Sequence, residues 1–161
     1  MTRRLLICLS VLAAAAAVAP SAWAAKPTIE RFVDDEPYEG GEDVCGFLIQ
    51  FDPDLTLRVA TFSDGHTLTT VRGTMEMTNA LTGESASFRF AGSFVDTLLP
   101  NGDFRNTGRG QFLLFYFPGD LGGPGVFYTK GRFVDIYDAT TGLLISERLS
   151  GQQTDVCALL S

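Results

Sequence analysis

Four successive stretches of alternating sequence carry a glycine near the middle: Gly73, Gly92, Gly108 with Gly110, and Gly131. Glycine inside a strand weakens it unless the backbone bends, bulges or is closely approached there. Its recurrence from one stretch to the next restricts the chain to folds built on a strongly coiled sheet, with the glycines on the inward face. The side-chain pattern agrees. Val71, Gly73, Met75 and Met77 share one parity and Arg72, Thr74, Glu76 and Thr78 the other, while Phe88, Phe90, Gly92 and Phe94 oppose Ser87, Arg89, Ala91, Ser93 and Thr97. A period of two with one apolar side marks a strand with one buried and one wetter face.

Seven strands are predicted, near Val44–Phe51, Leu55–Phe62, Thr67–Thr78, Glu84–Leu98, Asp103–Phe117, Gly125–Asp138 and Leu143–Gly151. Turn-forming residues separate them: Asp52-Pro53-Asp54, Ser63-Asp64-Gly65, Asn79 to Gly83, Pro100-Asn101-Gly102, Pro118 to Pro124 and Ala139 to Gly142. Connections this short favour antiparallel neighbours over helical crossovers. The expected fold is all-β, a single antiparallel up-and-down meander barrel of about seven or eight strands, with a β-sandwich as the alternative.

Residues 1–24 are read as a secretory signal rather than as fold. Arg3 and Arg4 precede an apolar stretch from Leu5 to Val18, and Ala22-Trp23-Ala24 forms a small-residue cleavage site. The expectation is a secreted, extracellular protein with no stable membrane anchor after cleavage, since the apolar stretch is shorter than the roughly 20 residues that span a bilayer. Without Arg3 and Arg4 the formal net charge of −7 becomes −9. An acidic chain of this kind is not expected to attract nucleic acid or anionic lipid at long range, although a local basic patch is compatible with it. Residues 25–43, with Asp34, Asp35, Glu36, Glu39, Glu42 and Asp43, are read as an acidic irregular arm, and 44–161 as the β domain. Processing would leave Cys45 and Cys157, expected to form one disulfide in an oxidising compartment. The loop it closes would be worth about 4–5 kcal/mol in the chain-entropy model.

Chemistry of the common catalytic kinds is not encoded. There is no P-loop, GxSxG, HExxH or dinucleotide fingerprint, so no catalytic residue and no cofactor is assigned. His66, the single histidine, follows the turn-forming Asp64-Gly65 and is read as a turn residue, and no metal site is expected from one histidine and a paired cysteine set. Arg72, Arg109 and Arg132 adjoin the mid-strand glycines; with the glycines inward, these arginines point outward and are expected to pair with acids such as Glu76. The aromatic residues Phe88, Phe90, Phe94, Phe112, Tyr116, Phe127 and Phe133 are the candidate lumen-lining set, and the inward glycines beside them suggest room for a small apolar or amphipathic ligand. Both parities are apolar from Phe112 to Phe117, which predicts burial on two faces.

The run from Phe115 to Gly125, Phe-Tyr-Phe-Pro-Gly-Asp-Leu-Gly-Gly-Pro-Gly, followed by Gly131-Arg132 and a late Cys157, resembles small secreted proteins of high-GC actinobacteria. The resemblance covers most of Val44 to Leu160 and implies no activity or site residue. In architecture the chain is similar to small barrels of the lipocalin or allene oxide cyclase type. The functional expectation is therefore a secreted, non-catalytic barrel holding an apolar ligand. The alternatives are a cofactor-free cyclase or isomerase using Glu147, Asp135 and Asp96 inside the lumen, and an extracellular structural or interaction domain whose protein partner is unknown.

Overall fold

The structure, a computed structural model, describes residues 26–161, so the predicted signal lies outside the described residues. Eight strands follow in order: β1 (Thr28–Asp34), β2 (Tyr38–Gly40), β3 (Ile49–Thr61), β4 (Thr67–Asn79), β5 (Ser85–Leu98), β6 (Phe104–Tyr116), β7 (Gly125–Tyr137) and β8 (Leu144–Asp155). Two single-turn helices accompany them, α1 (Glu42–Cys45) between β2 and β3 and α2 (Val156–Leu159) after β8. All ladders are antiparallel and run β1-β3-β4-β5-β6-β7-β8, with β2 beside β1 on the same edge of β3. The meander is as expected, but the barrel is not formed: β1 and β8 are the two ends of an open sheet. The lipocalin-like or allene-oxide-cyclase-like closure expected from the glycines is thereby overturned.

The reason lies in how the glycines are aligned. Gly92, Gly110, Gly131 and Gly151 are direct cross-strand partners on four adjacent strands, forming one continuous row. A Cβ at Gly110 would overlap the carbonyl of Ala91, one at Gly131 the carbonyl of Ser150, and one at Gly151 the carbonyl of Lys130. Gly110 moreover has φ +126°, a conformation that L side chains rarely adopt. Backbones therefore meet more closely along this row than any side chain permits, and the sheet creases there instead of curving evenly around an axis.

Contacts across the crease show how sharp it is. Tyr116 pairs with Gly125 and Glu147 with Asp135, ten residues apart along β7. In a straight strand those levels would stand about 33 Å apart. Yet the Tyr116 hydroxyl donates to Glu147 Oε1. The turns at the two ends of β7 also meet, through Leu121 N–H to the Leu144 carbonyl (3.0 Å) and Leu144 N–H to Asp120 Oδ1 (2.8 Å). Below the crease the ladder between β5 and β6 stops at Ala91 and Gln111. The freed end of the β6–β7 hairpin tucks onto the inner face of β3–β5, where Tyr128 lies 5.0 Å from Phe88 and Phe115 lies 6.1 Å from Phe51, centroid to centroid. Occupied by its own hairpin, the interior has no space around which a barrel could close. The two-sided burial predicted for Phe112–Phe117 is not formed throughout: Phe112 and Tyr116 are buried and Leu113 and Leu114 half-buried, but Phe115 and Phe117 are exposed, whereas on β7 Gly125, Val126, Tyr128 and Thr129 are all buried.

The segment expected to be an irregular arm is paired instead, as β1 along Leu55–Thr61 and as β2 along Ile49–Phe51. Asp52-Pro53-Asp54, expected to be a loop, lies inside β3 and opposite the gap between β1 and β2. Proline, which cannot donate to a ladder, is tolerated where the neighbouring ladder is interrupted. β8 runs on past Gly151, the predicted strand end, to Asp155. Cys45 and Cys157 form the expected disulfide, with Cα atoms 5.1 Å apart, and so tie α1 to α2. They close one end of a core in which Ile49, Met77, Val126, Val156 and Leu160 are fully buried. The Asn79 side chain anchors the C-terminus there by donating to the Leu160 carbonyl at 3.0 Å.

Because the crease requires a missing Cβ, Gly131→Ala is expected to destabilise the fold by about 2–4 kcal/mol. Ser87→Ala on the exposed side of β5 should stay within about 0.5 kcal/mol. Urea unfolding of the two variants checks this, and an unaltered midpoint for Gly131→Ala would contradict the crease.

Candidate anion-binding face and the buried carboxylate row

Side chains flanking a crease glycine project from the opposite face, so the convex ridge is built from the residues beside the glycines. One register row crosses all seven strands of the main path: Arg31, Arg58, Thr70, Ser93, Arg109, Arg132 and Ser150. Each of these side chains carries a hydrogen-bond donor. Two residues along in one direction the row holds Val33, Thr56, Arg72, Ala91, Gln111, Lys130 and Gln152; in the other it holds Ile29, Ala60, Leu68, Val95, Thr107, Val134 and Arg148. Seven of the twelve basic residues of the sequence thus sit on three adjacent rows that contain no acid.

The arginines point outward as expected, and Arg31, Arg58, Arg109 and Arg132 are exposed. Their expected pairing with acids such as Glu76 is not formed. Among the described residues the one ion pair within 4.0 Å is His66 with Asp64. Glu76 instead faces Asp52 and Ser87 across its own strand, toward the opposite end of the sheet. Arg31 lies directly opposite Arg58, and Arg109 directly opposite Arg132. Like charges placed so are unfavourable unless solvent or an anion lies between them. Where Gly92 and Gly110 leave the surface low, Thr70, Arg72, Ser93 and Arg109 line a shallow open groove.

The inner face carries the complementary pattern. Thr67, Asp96, Asn106, Asp135 and Glu147 are successive cross-strand partners from β4 to β8. Thr67 donates to Asp96 Oδ2 at 3.2 Å, and Tyr116 donates to Glu147. Asp96 Oδ1, Asn106 Oδ1 and Asp135 Oδ1 are buried without a hydrogen-bond partner. Desolvation raises the Asp96 carboxyl, with the Thr67 hydrogen bond opposing. Asp135, 2% exposed, is pushed up to about 7 by desolvation first and by the charge of Glu147 second. Tyr137 is pushed up to about 12 by burial and then by Asp135, and burial together with Glu147 also raises Tyr116. Asp96, Asp135 and Glu147, the carboxylates grouped by parity in the sequence, are therefore on one face. Asn106, Tyr116 and Tyr137 join them through cross-strand register and the crease, neither of which the sequence displays.

The aromatic set faces inward and packs on itself. Phe94, Phe112 and Phe133 form an edge-to-face chain with centroids 5.9 and 5.6 Å apart, Tyr116 packs on Phe127 at 5.5 Å, and Phe88 and Phe90 are buried in the core. A Cβ at Gly92 would overlap the Phe112 ring, and one at Gly108 the Phe133 ring. The room that inward glycines suggested for an apolar ligand is filled by these two rings. With the sheet open and that space taken, the ligand-holding barrel, and with it the cyclase reading that needed a lumen, is set aside. His66 is a turn residue, its Nδ1 2.5 Å from Asp64 Oδ1 and its ring stacked on Phe62 at 4.2 Å. Among the described residues no group of three or more His, Cys, Asp or Glu could hold a metal ion, and no helix is long and apolar enough to cross a membrane.

The raised carboxyl of Asp135 makes stability pH-dependent. Its folded value lies above its ordinary value of 3.8, so as pH rises the unfolded chain loses this proton first. Stability from this group is full below about pH 4, falls between about pH 4 and 7, and is level above. Asp135→Asn keeps the shape, removes the buried charge, and is expected to flatten that decline and to stabilise the protein at pH 8 by roughly 2–4 kcal/mol. Urea unfolding at pH 5 and pH 8 checks it; a variant less stable than the parent at pH 8 would show that the carboxylate is held favourably.

Comparison of the chain with family models, curated proteins and solved structures found no match in any of the three.

Proposed function

We propose that this domain is a binding module that holds anionic groups on the convex ridge of its creased sheet. The observation that carries the reading is the seven-residue donor row, with two directly opposed arginine pairs and no acid on it or on either neighbouring row. Guanidinium groups bind carboxylate, sulfate and phosphate through paired hydrogen bonds, and an anion lodged between Arg109 and Arg132 would relieve their mutual repulsion. Other carboxylates of an otherwise acidic chain lie off these rows: Asp54 on the next row, in a groove it shares with Arg72, Asp52 and Glu76 toward the far end of the sheet, Asp135 buried and Glu147 half-buried on the inner face. This segregation lets a locally positive surface exist on a molecule whose net charge is negative. At about 0.1 M salt, screening over roughly 10 Å confines each region's influence to its own face.

Arg109→Ser with Arg132→Ser tests the reading. The parent is expected to bind dextran sulfate at about 50 mM salt and to lose that binding as salt rises toward about 500 mM, as screening predicts. The double variant should bind at least about tenfold more weakly, which is about 1.4 kcal/mol. Its unfolding midpoint should be equal or higher, because a like-charge contact has been removed. Equal binding by parent and variant in isothermal titration, or none by the parent at low salt, would sink the proposal.

A further inference from the structure

We infer that the ligand of the ridge is an acidic polysaccharide, a linear chain whose carboxylate or sulfate groups recur between neutral, hydroxyl-bearing stretches. The inference rests on the anion-binding reading above and adds the chemical class of the ligand. The donors on the central row are not uniform: a pair of arginines, two hydroxyls, a second pair of arginines and a last hydroxyl. Six strand-to-strand steps make the row about 29 Å long, and Arg58 and Arg109 stand about 14 Å apart across Thr70 and Ser93, with Arg72 on the next row sharing the groove of these two hydroxyls. A ligand matched to this surface places charge at intervals and hydrogen-bonding hydroxyls between. Duplex DNA, with about one charge per 1.7 Å of axis, places charge without interruption.

A second property of the surface points the same way. None of the 21 positions on the three rows is Phe, Tyr or Trp. Single-stranded nucleic acids are held largely by stacking bases on aromatic rings, each stack worth about 1–3 kcal/mol, and the aromatic residue that lines the ridge's grooves, Phe133, is only 4% exposed. The ridge offers instead an aliphatic strip, Leu68, Val95 and Val134, beside Arg109 and Arg132 in one open groove. Such a strip can cover the C–H face of a sugar ring while the guanidiniums hold its carboxylate. An anionic membrane would be met by a broad basic face with protruding apolar side chains. Here the aliphatic residues lie in a groove between strands, and four of the seven basic residues stand on a single register row.

Binding of polygalacturonate to the full protein is to be compared, at about 150 mM salt, with an oligothymidylate and a DNA duplex of matched charge. Vesicles of equal parts phosphatidylcholine and phosphatidylserine make the fourth arm. Polygalacturonate is expected to bind at least about tenfold more tightly than either nucleic acid, and the vesicles not at all. Thr70→Val with Ser93→Ala keeps every charge and removes the hydroxyls, and should weaken polygalacturonate binding by about threefold or more. Equal or tighter binding of a nucleic acid or of the vesicles, or an undiminished affinity in the hydroxyl variant, would overturn the polysaccharide assignment while leaving anion binding in place. Failure of the parent to bind dextran sulfate at low salt would bring down both.

Discussion

The close passage of backbones along Gly92, Gly110, Gly131 and Gly151 is the contact on which the rest of the molecule depends. Each glycine faces a carbonyl or an α-carbon of the neighbouring strand at a distance that leaves no place for a Cβ. A row of such contacts turns a long meander into a hinge with two arms, and long strands make the arms large enough to cover each other. The disulfide and the two short helices then close one open end of the core, and the Tyr116–Glu147 hydrogen bond holds the arms together at another point. Remove the row and strands of 12–14 residues would have to coil evenly or lie flat. In a flat sheet Tyr116 and Glu147 could not meet, and the β6–β7 hairpin would lose the core against which it packs.

The crease also decides where charge can reside. Its inside is desolvated, and the polar row that runs beside it is strained electrically: three acceptor oxygens without donors, and Asp135 beside Glu147 on adjacent strands. Its outside is solvated and convex, so side chains diverge as they leave the backbone. Divergence lowers the cost of setting arginine opposite arginine, because long guanidinium side chains can spread apart into water. The two faces are linked by the period of two along each strand. Glu147 points in and Arg148 out, Gly131 in and Arg132 out, so a basic residue next to an inward glycine or acid is the local rule that separates the charges.

Much of this was present in the one-dimensional pattern. The alternation of Val71 to Thr78 and of Ser87 to Phe94 assigned faces correctly, the mid-strand glycines signalled strong sheet bending, the cysteines paired, and Arg72, Arg109 and Arg132 faced outward. What sequence could not supply was register. Gly110 opposite Gly131 opposite Gly151 concentrates the bend in one row, and that alignment depends on the pairing of distant strands. No local propensity reveals it. For the same reason the seven-residue donor row was visible only as isolated arginines, because Arg31 and Arg58 lie in segments far from Arg109 and Arg132. β1 escaped notice because its apolar residues Ile29, Phe32 and Val33 remain exposed, leaving no clean alternation to read. Pro53 misled in the ordinary way of a turn signal, its strand being allowed only by the break between β1 and β2 opposite it.

Why such an acidic chain should keep a line of arginines follows from the relation between these features. Uncompensated guanidiniums contribute nothing to the core, and among the described residues none is tied to a carboxylate within 4.0 Å. If their role were solubility, scattered charges would serve as well, and acids among them would reduce repulsion. Instead the acids are absent from three neighbouring rows while crowding other parts of the same sheet. Directly opposed like charges oppose folding, so a sequence that retains two such pairs on one register row gives up stability for a property of that surface. Its linear form, parallel to the glycine row one residue away, gives that surface a direction. An extended anionic ligand can follow that direction, whereas a point-like anion would need only one of the two arginine pairs.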